Sequence, residues 1–241
     1  DEQFGAIVPY YITQIYFFQK SYTELISFAS PLIEGVIPSR KAEVNRLLAE
    51  AYYRTEDYEK AITHFNAYLE EREQVNPIVH FLLGQSYFKI NEYENAINHL
   101  EKVSNTSDSI SQHATYCLGA SYLRLDQYNY ALQAFKKSAT YTYDLEIQED
   151  AYYNYAKLSY QLDLPFDNTL SVLRTYLATY NNGTHEKDIE TLMVHTFQSG
   201  SKYNEAFQAL KDIHLPNHNQ QKLLQQLSFF LGVKEYNQSD Y

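Results

Sequence analysis

Ala61, Ala96 and Ala131 stand 35 residues apart, and the same side chains recur around each of them in the same order. Leu48-Ala49 and Tyr52 precede Tyr58, Ala61 and Phe65. Leu83-Gly84 and Tyr87 precede Tyr93, Ala96 and Leu100, and Leu118-Gly119 and Tyr122 precede Tyr128, Ala131 and Phe135. This period is too long for one helix and fits a helix-turn-helix unit, which must stack on its neighbours to bury its apolar face. Within each unit apolar residues recur at helical spacing, break at a polar stretch such as Arg54-Thr55-Glu56-Asp57, and resume. The expectation is one helical hairpin per period. The small residue of the first helix (Ala49, Gly84, Gly119) and the alanine of the second let two backbones approach, with Tyr52, Tyr87 and Tyr122 filling the space alongside.

Composition agrees with helices. The 241 residues hold only 7 Gly and 6 Pro, and the aromatic content is 25 Tyr and 13 Phe with no Trp. The formal charge of −11 is spread without a basic block, which argues against nucleic acid or an anionic membrane and favours a basic or neutral partner. No apolar run reaches the roughly 18 residues of a bilayer span, so no direct membrane insertion is expected. The single cysteine, Cys117, excludes an intrachain disulfide and a multi-cysteine metal site. The chain opens Asp1-Glu2-Gln3 and its one methionine is Met193, as in a processed protein or a segment of a longer one.

These residues resemble the tetratricopeptide repeat, with its Leu-Gly pair, a Tyr three residues on, a Tyr in the turn, then Ala and an aromatic. Residues 42–140 carry the pattern three times. The resemblance implies an all-α fold, a right-handed superhelical solenoid of helix-turn-helix hairpins. With the register set, weaker units emerge on both sides. Ile12-Thr13, Tyr16, Tyr22, Leu25 and Ala29 form one. Tyr155-Ala156, the extended turn Leu162-Asp163-Leu164-Pro165, Leu170 and Leu173 form another, followed by Met193-Val194, Phe197, Tyr203, Ala206 and Leu210. Residues 227–241 read as the first helix of a seventh, with Gly232 in the small-residue slot and Asp240-Tyr241 at the turn. The repeats fall at about 6–39, 42–75, 77–110, 112–146, 149–183 and 187–218, with a partial unit at 220–241, in one solenoid over 1–241 that reads as part of a longer array.

The run from Asp150 through Tyr153, Tyr155-Ala156-Lys157-Leu158-Ser159-Tyr160, Leu173 to Leu177 and Tyr180-Asn181-Asn182-Gly183 is similar to large exported tetratricopeptide-repeat proteins of Bacteroidetes-type bacteria. That resemblance implies the bacterial cell envelope, in the periplasm, with the cytoplasm as the alternative. Asp108-Ser109-Ile110 resembles the Asp-Ser/Thr-apolar triplet that such bacteria glycosylate, and is expected in a polar inter-repeat loop.

No catalytic residue, cofactor or metal site is expected from the sequence. His214-Leu215-Pro216-Asn217-His218 has ligand spacing, but Pro216 breaks the helix such a pair needs. His64 and His99 sit at equivalent places in successive second helices and are expected to be solvated. Cys117 reads as a small core hydrophobe, although His113 lies one helical turn away. Glu70-Glu71 and Glu149-Asp150 are expected to be solvated carboxylates at element ends. No phosphate-binding glycine loop occurs. The segment therefore reads as non-enzymatic.

In the family that the repeats resemble, first helices line the concave side, and register places there Tyr10, Phe17, Phe18, Tyr53, Phe81, Phe88, Tyr116, Tyr153 and Tyr160. The interleaved polar residues are Arg46, Glu50, Arg54, Gln85, Lys89, Arg124 and Lys157. An aromatic stripe at helical spacing is as compatible with packing between repeats as with binding. Surplus aromatics beside Arg are typical interface anchors. The carboxylate clamp of some such repeats needs Asn where Glu50 follows Arg46, so an internal peptide segment or a folded protein surface is the expected ligand. The readings left open are a protein-binding scaffold in envelope assembly or secretion, a substrate-positioning or regulatory arm of a larger enzyme-containing protein, and a spacer or self-association module.

Overall fold

The computed structural model describes residues 2–72, 74–103, 108–162, 164, 166–181, 183–200 and 218–238. Within them the chain is all-α. The helices are α1 (Glu2–Phe18), α2 (Tyr22–Ala29), α3 (Pro38–Arg54), α4 (Tyr58–Glu70), α5 (Pro77–Lys89), α6 (Tyr93–Leu100) and α7 (Ser109–Arg124). They continue as α8 (Tyr128–Ser138), α9 (Leu145–Gln161), α10 (Phe166–Thr179), α11 (Glu186–Gly200) and α12 (His218–Gln238), and a 3-10 segment, Ser30–Gly35, follows α2. Tyr203, Ala206, Leu210, His214 and the Asp240-Tyr241 turn lie outside the described residues.

The chain divides into two compact units, residues 1–127 and 128–241. In the first, each helix packs on the next, and α1, α3, α5 and α7 also touch one another in succession. In the second, α8 packs on α9, α9 on α10 and α11, α10 on α11, and α11 on α12.

The repeat explains the packing. Ala61, Ala96 and Ala131 are fully buried, as are Leu48, Leu83, Phe65 and Leu100. A Cβ on Gly84 would lie 2.7 Å from Leu100 Cγ and 3.3 Å from the Ala96 carbonyl oxygen, so only glycine admits α6 at this distance. Gly232, in the same slot of α12, has nothing within 4 Å of such a Cβ. The three repeat tyrosines each reach about 21 residues back. Tyr52 Oη donates to Ser30 Oγ, Tyr87 Oη accepts from Asn66 Nδ2, and Tyr122 Oη donates to Glu101 Oε1.

Four turns of the first unit share one device. Lys20, Glu56, Asn91 and Asp126 have φ of 58°, 64°, 65° and 56°. The next residue, Ser21, Asp57, Glu92 or Gln127, donates its N–H to the carbonyl of Tyr16, Tyr52, Tyr87 or Tyr122, at 2.9 Å each time. This is the Schellman cap, in which a left-handed residue redirects the chain and satisfies the last carbonyls. Asp57 then caps α4 by accepting from Lys60 N.

Two expectations about loops and ends need correction. Asp108 is the N-cap of α7, accepting from Ser111 N at 2.7 Å, so Ser109 and Ile110 form the first helical turn instead of a loop. Glu149 and Asp150 are not free carboxylates. Glu149 Oε1 accepts from Tyr176 Oη at 2.8 Å and from Thr184 N at 2.6 Å, while Asp150 Oδ1 pairs with His185 Nε2 at 3.0 Å. A Cβ on Gly183 would lie 2.6 Å from Glu149 Oε1, which accounts for the glycine of the Tyr180-Asn181-Asn182-Gly183 loop. Burial and the neighbouring Glu149 carboxylate raise the Tyr176 pKa, which keeps its hydroxyl a donor.

Candidate protein-binding face

In the first unit the first helices present one row of aromatics and one of cations. Tyr53 and Phe88 occupy the same register of α3 and α5, and each stands edge-on to the tyrosine that opens the following helix, Tyr58 at 5.9 Å and Tyr93 at 5.7 Å. Both are half-buried, as are Phe17, Phe81 and Tyr116. Phe81 is also edge-on to His113. Tyr10 does not join the face. It is buried in the core, with the Arg40 guanidinium 4.9 Å from its ring centre. Phe18, in contrast, is 78% exposed.

The helices are tied through side chains that the repeat pattern does not reveal. Tyr53 Oη donates to Gln85 Oε1, and Gln85 Nε2 lies 3.8 Å from Cys117 Sγ. Burial pushes the Cys117 thiol pKa up, which opposes a thiolate. The cysteine therefore serves as packing and as a weak acceptor. No residue type in the pattern signals this chain, because Gln85 and Cys117 occupy different slots of their repeats.

The charges on this face divide into two kinds. Arg46 is neutralised within α3, by Glu43 at 2.6 Å and by Glu50. Burial acts against the Arg46 charge, but these acids outweigh it and raise its pKa; burial also raises the pKa of Glu50 against the pull of Arg46. Glu50 is thus committed to Arg46, and no clamp for a terminal carboxylate forms there. Arg54, Lys89 and Arg124 are exposed at the last turns of α3, α5 and α7, and the Arg54 guanidinium lies 5.8 Å from the Tyr53 ring centre.

In the second unit Tyr153 stacks on His185 at 3.9 Å, donates to Asp188 Oδ2 at 3.1 Å, and has Lys157 5.9 Å from its ring. Tyr160 is tilted against His195 at 6.5 Å. Both tyrosines are half-buried and partnered across α9 and α11.

His64 and His99 are not solvated. His64 stacks on Tyr52 at 5.4 Å and bonds Asn45 through Nδ1 at 2.8 Å. His99 stacks on Tyr87 and meets His80, Nδ1 to Nδ1, at 3.2 Å. Burial, with the charge of Lys102, pulls the His99 pKa down to about 4. Among the described residues, no group of three or more His, Cys, Asp or Glu side chains is placed to hold a metal. Within the same residues no helix is long and apolar enough to cross a membrane.

Solved structures share this arrangement of hairpins. YrrB, described as a TPR protein with an unusual peptide-binding site, superposes with a TM-score of 0.58 at 17% identity, over 81% of this chain and 92% of YrrB. The fold is that of the tetratricopeptide repeat. The MamA RS-1 double mutant matches at 0.56 and 20% identity over 72% of this chain and 93% of its own. The C-terminal part of a TPR repeat-containing protein from Cytophaga hutchinsonii matches at 0.56 and 14% identity, over 84% and 85%. At the sequence level, residues 18–103 match the family described as anaphase-promoting complex, cyclosome, subunit 3. No curated protein matches the chain. The match at 18–103 spans α2 to α6 and takes in two of the three clear repeats.

Proposed function

We propose that this chain is a non-enzymatic protein-binding scaffold whose first helices hold a peptide or protein surface, in the bacterial cell envelope during assembly or secretion. The observation that carries the reading is the repeated pairing on the first unit of a half-buried aromatic with an exposed cation, Tyr53 with Arg54 and Phe88 with Lys89. Aromatic and cationic side chains anchored in place and open on one side are the usual centres of protein interfaces. The described peptide-binding site of YrrB, on a similar fold, supports the same use of this scaffold. The envelope placement rests on the similarity of residues 150–183 to exported bacterial repeat proteins.

Photo-crosslinking side chains at position 88 on α5 and at position 94 on α6 test the face in the cells that make the protein. Adducts with another protein from position 88 but not 94 support it, and adducts from 94 alone, or from neither, overturn it. Osmotic-shock fractionation tests the compartment: recovery with cytosolic markers removes the envelope placement.

A further inference from the structure

We propose that the first-helix face of residues 1–127 takes an extended acidic peptide along a ladder of three cations. This deepens the protein-binding reading above and rests on it. Arg54, Lys89 and Arg124 are 35 residues apart, and each ends the first helix of its repeat. All three are exposed, and none makes an ion pair among the described residues. The chain has 30 Asp and Glu against 19 Lys and Arg, so acids to pair them are not scarce. Nearby cations do find partners: Arg46 has Glu43 and Glu50, and Lys60 has Asp57.

Their position suits a ligand. A cation at a helix C-terminus is favoured by the helix dipole, and Arg54 also feels the charge of Glu50 one turn earlier without forming an ion pair with it. Of the acids in the adjoining turns, Asp57 is engaged by Lys60 and Glu92 by Asn95, while Glu56 and Asp126 stand exposed two residues beyond Arg54 and Arg124. Beside the first two rungs, the Tyr53–Tyr58 and Phe88–Tyr93 pairs supply apolar walls, against which a carboxylate bound to the cation is less screened by water.

Spacing sets the peptide. Consecutive first helices touch directly and are joined by Tyr53 and Gln85, so their axes lie about 10 Å apart. An extended chain in the polyproline II form advances about 3.1 Å per residue with about three residues per turn, so carboxylates at every third residue lie on one side and meet successive rungs. The net charge of −11 favours a basic or neutral partner for the whole chain, so the acidic ligand proposed here depends on the three rungs themselves. The same overall charge disfavours nucleic acid, whose phosphates lie closer together than the rungs.

Fluorescence anisotropy on the whole chain tests the ladder with three labelled nonapeptides of otherwise equal composition. One carries Glu at positions 1, 4 and 7, one carries Glu at 1, 2 and 3, and one carries Lys at 1, 4 and 7; oligo(dT) is the fourth probe. The expected order is spaced Glu tightest, at least about tenfold over Lys. An Arg54→Gln/Lys89→Gln/Arg124→Gln variant, with helix content checked by circular dichroism, loses about tenfold for spaced Glu. Equal affinity for the Lys peptide, an unaffected triple variant, equal binding of clustered and spaced Glu, or tighter binding of oligo(dT) each overturns the proposal. Peptides selected from a randomised library separate this failure from that of the broader reading. Non-acidic peptides that lose binding on Phe88→Ala sink the ladder and leave the protein-binding face standing. Peptides indifferent to both sets of substitutions, or no binder at all, sink both.

Discussion

Tyr53 on α3 donates its phenol hydrogen to Oε1 of Gln85 on α5, 32 residues further along the chain. Apolar packing alone would let neighbouring first helices rotate against each other, and this bond sets their relation on the face proposed to bind. Tyr53→Phe keeps the ring against Tyr58 and removes the donor. The expected loss is about 1 kcal/mol in urea unfolding, since a half-buried carbonyl is left without its partner. A Tyr53→Phe/Gln85→Leu double-mutant cycle should return a coupling of about 0.5 kcal/mol or more; a coupling of zero would show that the bond contributes nothing.

Gly84 has no room for a methyl group. Its added Cβ meets Leu100 Cγ at 2.7 Å, and Leu100 is fully buried, so α6 must move away or Leu100 must leave its rotamer. Gly84→Ala is expected to cost about 1–3 kcal/mol by overpacking. The cost should shrink when Leu100 is also replaced by Ala, making the pair less than additive. Additive losses in thermal melts would contradict this account.

Glu56 holds a left-handed backbone at φ 64° in the α3–α4 turn, in the place where Asn91 and Asp126 stand in the next two turns. Asn and Asp tolerate this region, whereas a longer side chain is strained there. Glu56→Gly should stabilise the chain by about 1 kcal/mol. Asn91→Gly should change stability much less. Equal effects at the two positions would show that strain at Glu56 is not what the substitution relieves.

Two titrations act on stability with opposite signs. The His99 pKa falls from 6.5 to about 4 on folding, mainly through burial, so between those values the unfolded chain binds the proton more readily. Its contribution is present above pH 6.5 and is lost as pH falls toward about 4. Glu190 is buried with Oε1 unpartnered among the described residues, and burial with the nearby Glu186 raises its pKa from 4.5 to about 7. Here the folded chain holds the proton, so stability is lost as pH rises from 4.5 through about 7. Glu190→Gln should therefore raise Tm at pH 8 and leave it nearly unchanged at pH 5. His99→Gln should flatten the fall in Tm between pH 6.5 and 4. A wild-type slope preserved in both variants would assign the pH dependence to other groups.

The hairpin fold was legible because a repeat states its requirements several times. Ala61, Ala96 and Ala131 recur at one register and are all fully buried, and the same register carries Leu48, Leu83, Phe65 and Leu100 in the core. The binding face was legible as a set of positions but not as a set of available groups. Tyr10 sits in the expected slot yet is buried, and Tyr153 is committed to His185 and Asp188. Register says which way a side chain leaves its helix, and the neighbour it meets depends on the irregular residues of the next repeat.

The histidines show the same division. Sequence placed His64 and His99 at one register of successive second helices, and that equivalence is real. Only the packing of Tyr52 and Tyr87 over them turned an outward-looking position into a half-buried, stacked one. What the sequence alone determined is the periodic part of the protein: helical hairpins, their small-residue contacts, and three cations at one register. The tertiary structure decided the aperiodic part, namely which polar groups are consumed by neighbours and which remain open. The physical reason is that backbone proximity follows from a repeated pattern of size and polarity. Hydrogen bonds and stacking, in contrast, depend on individual atoms brought together from different repeats, such as Tyr53 with Gln85 and Tyr153 with Asp188.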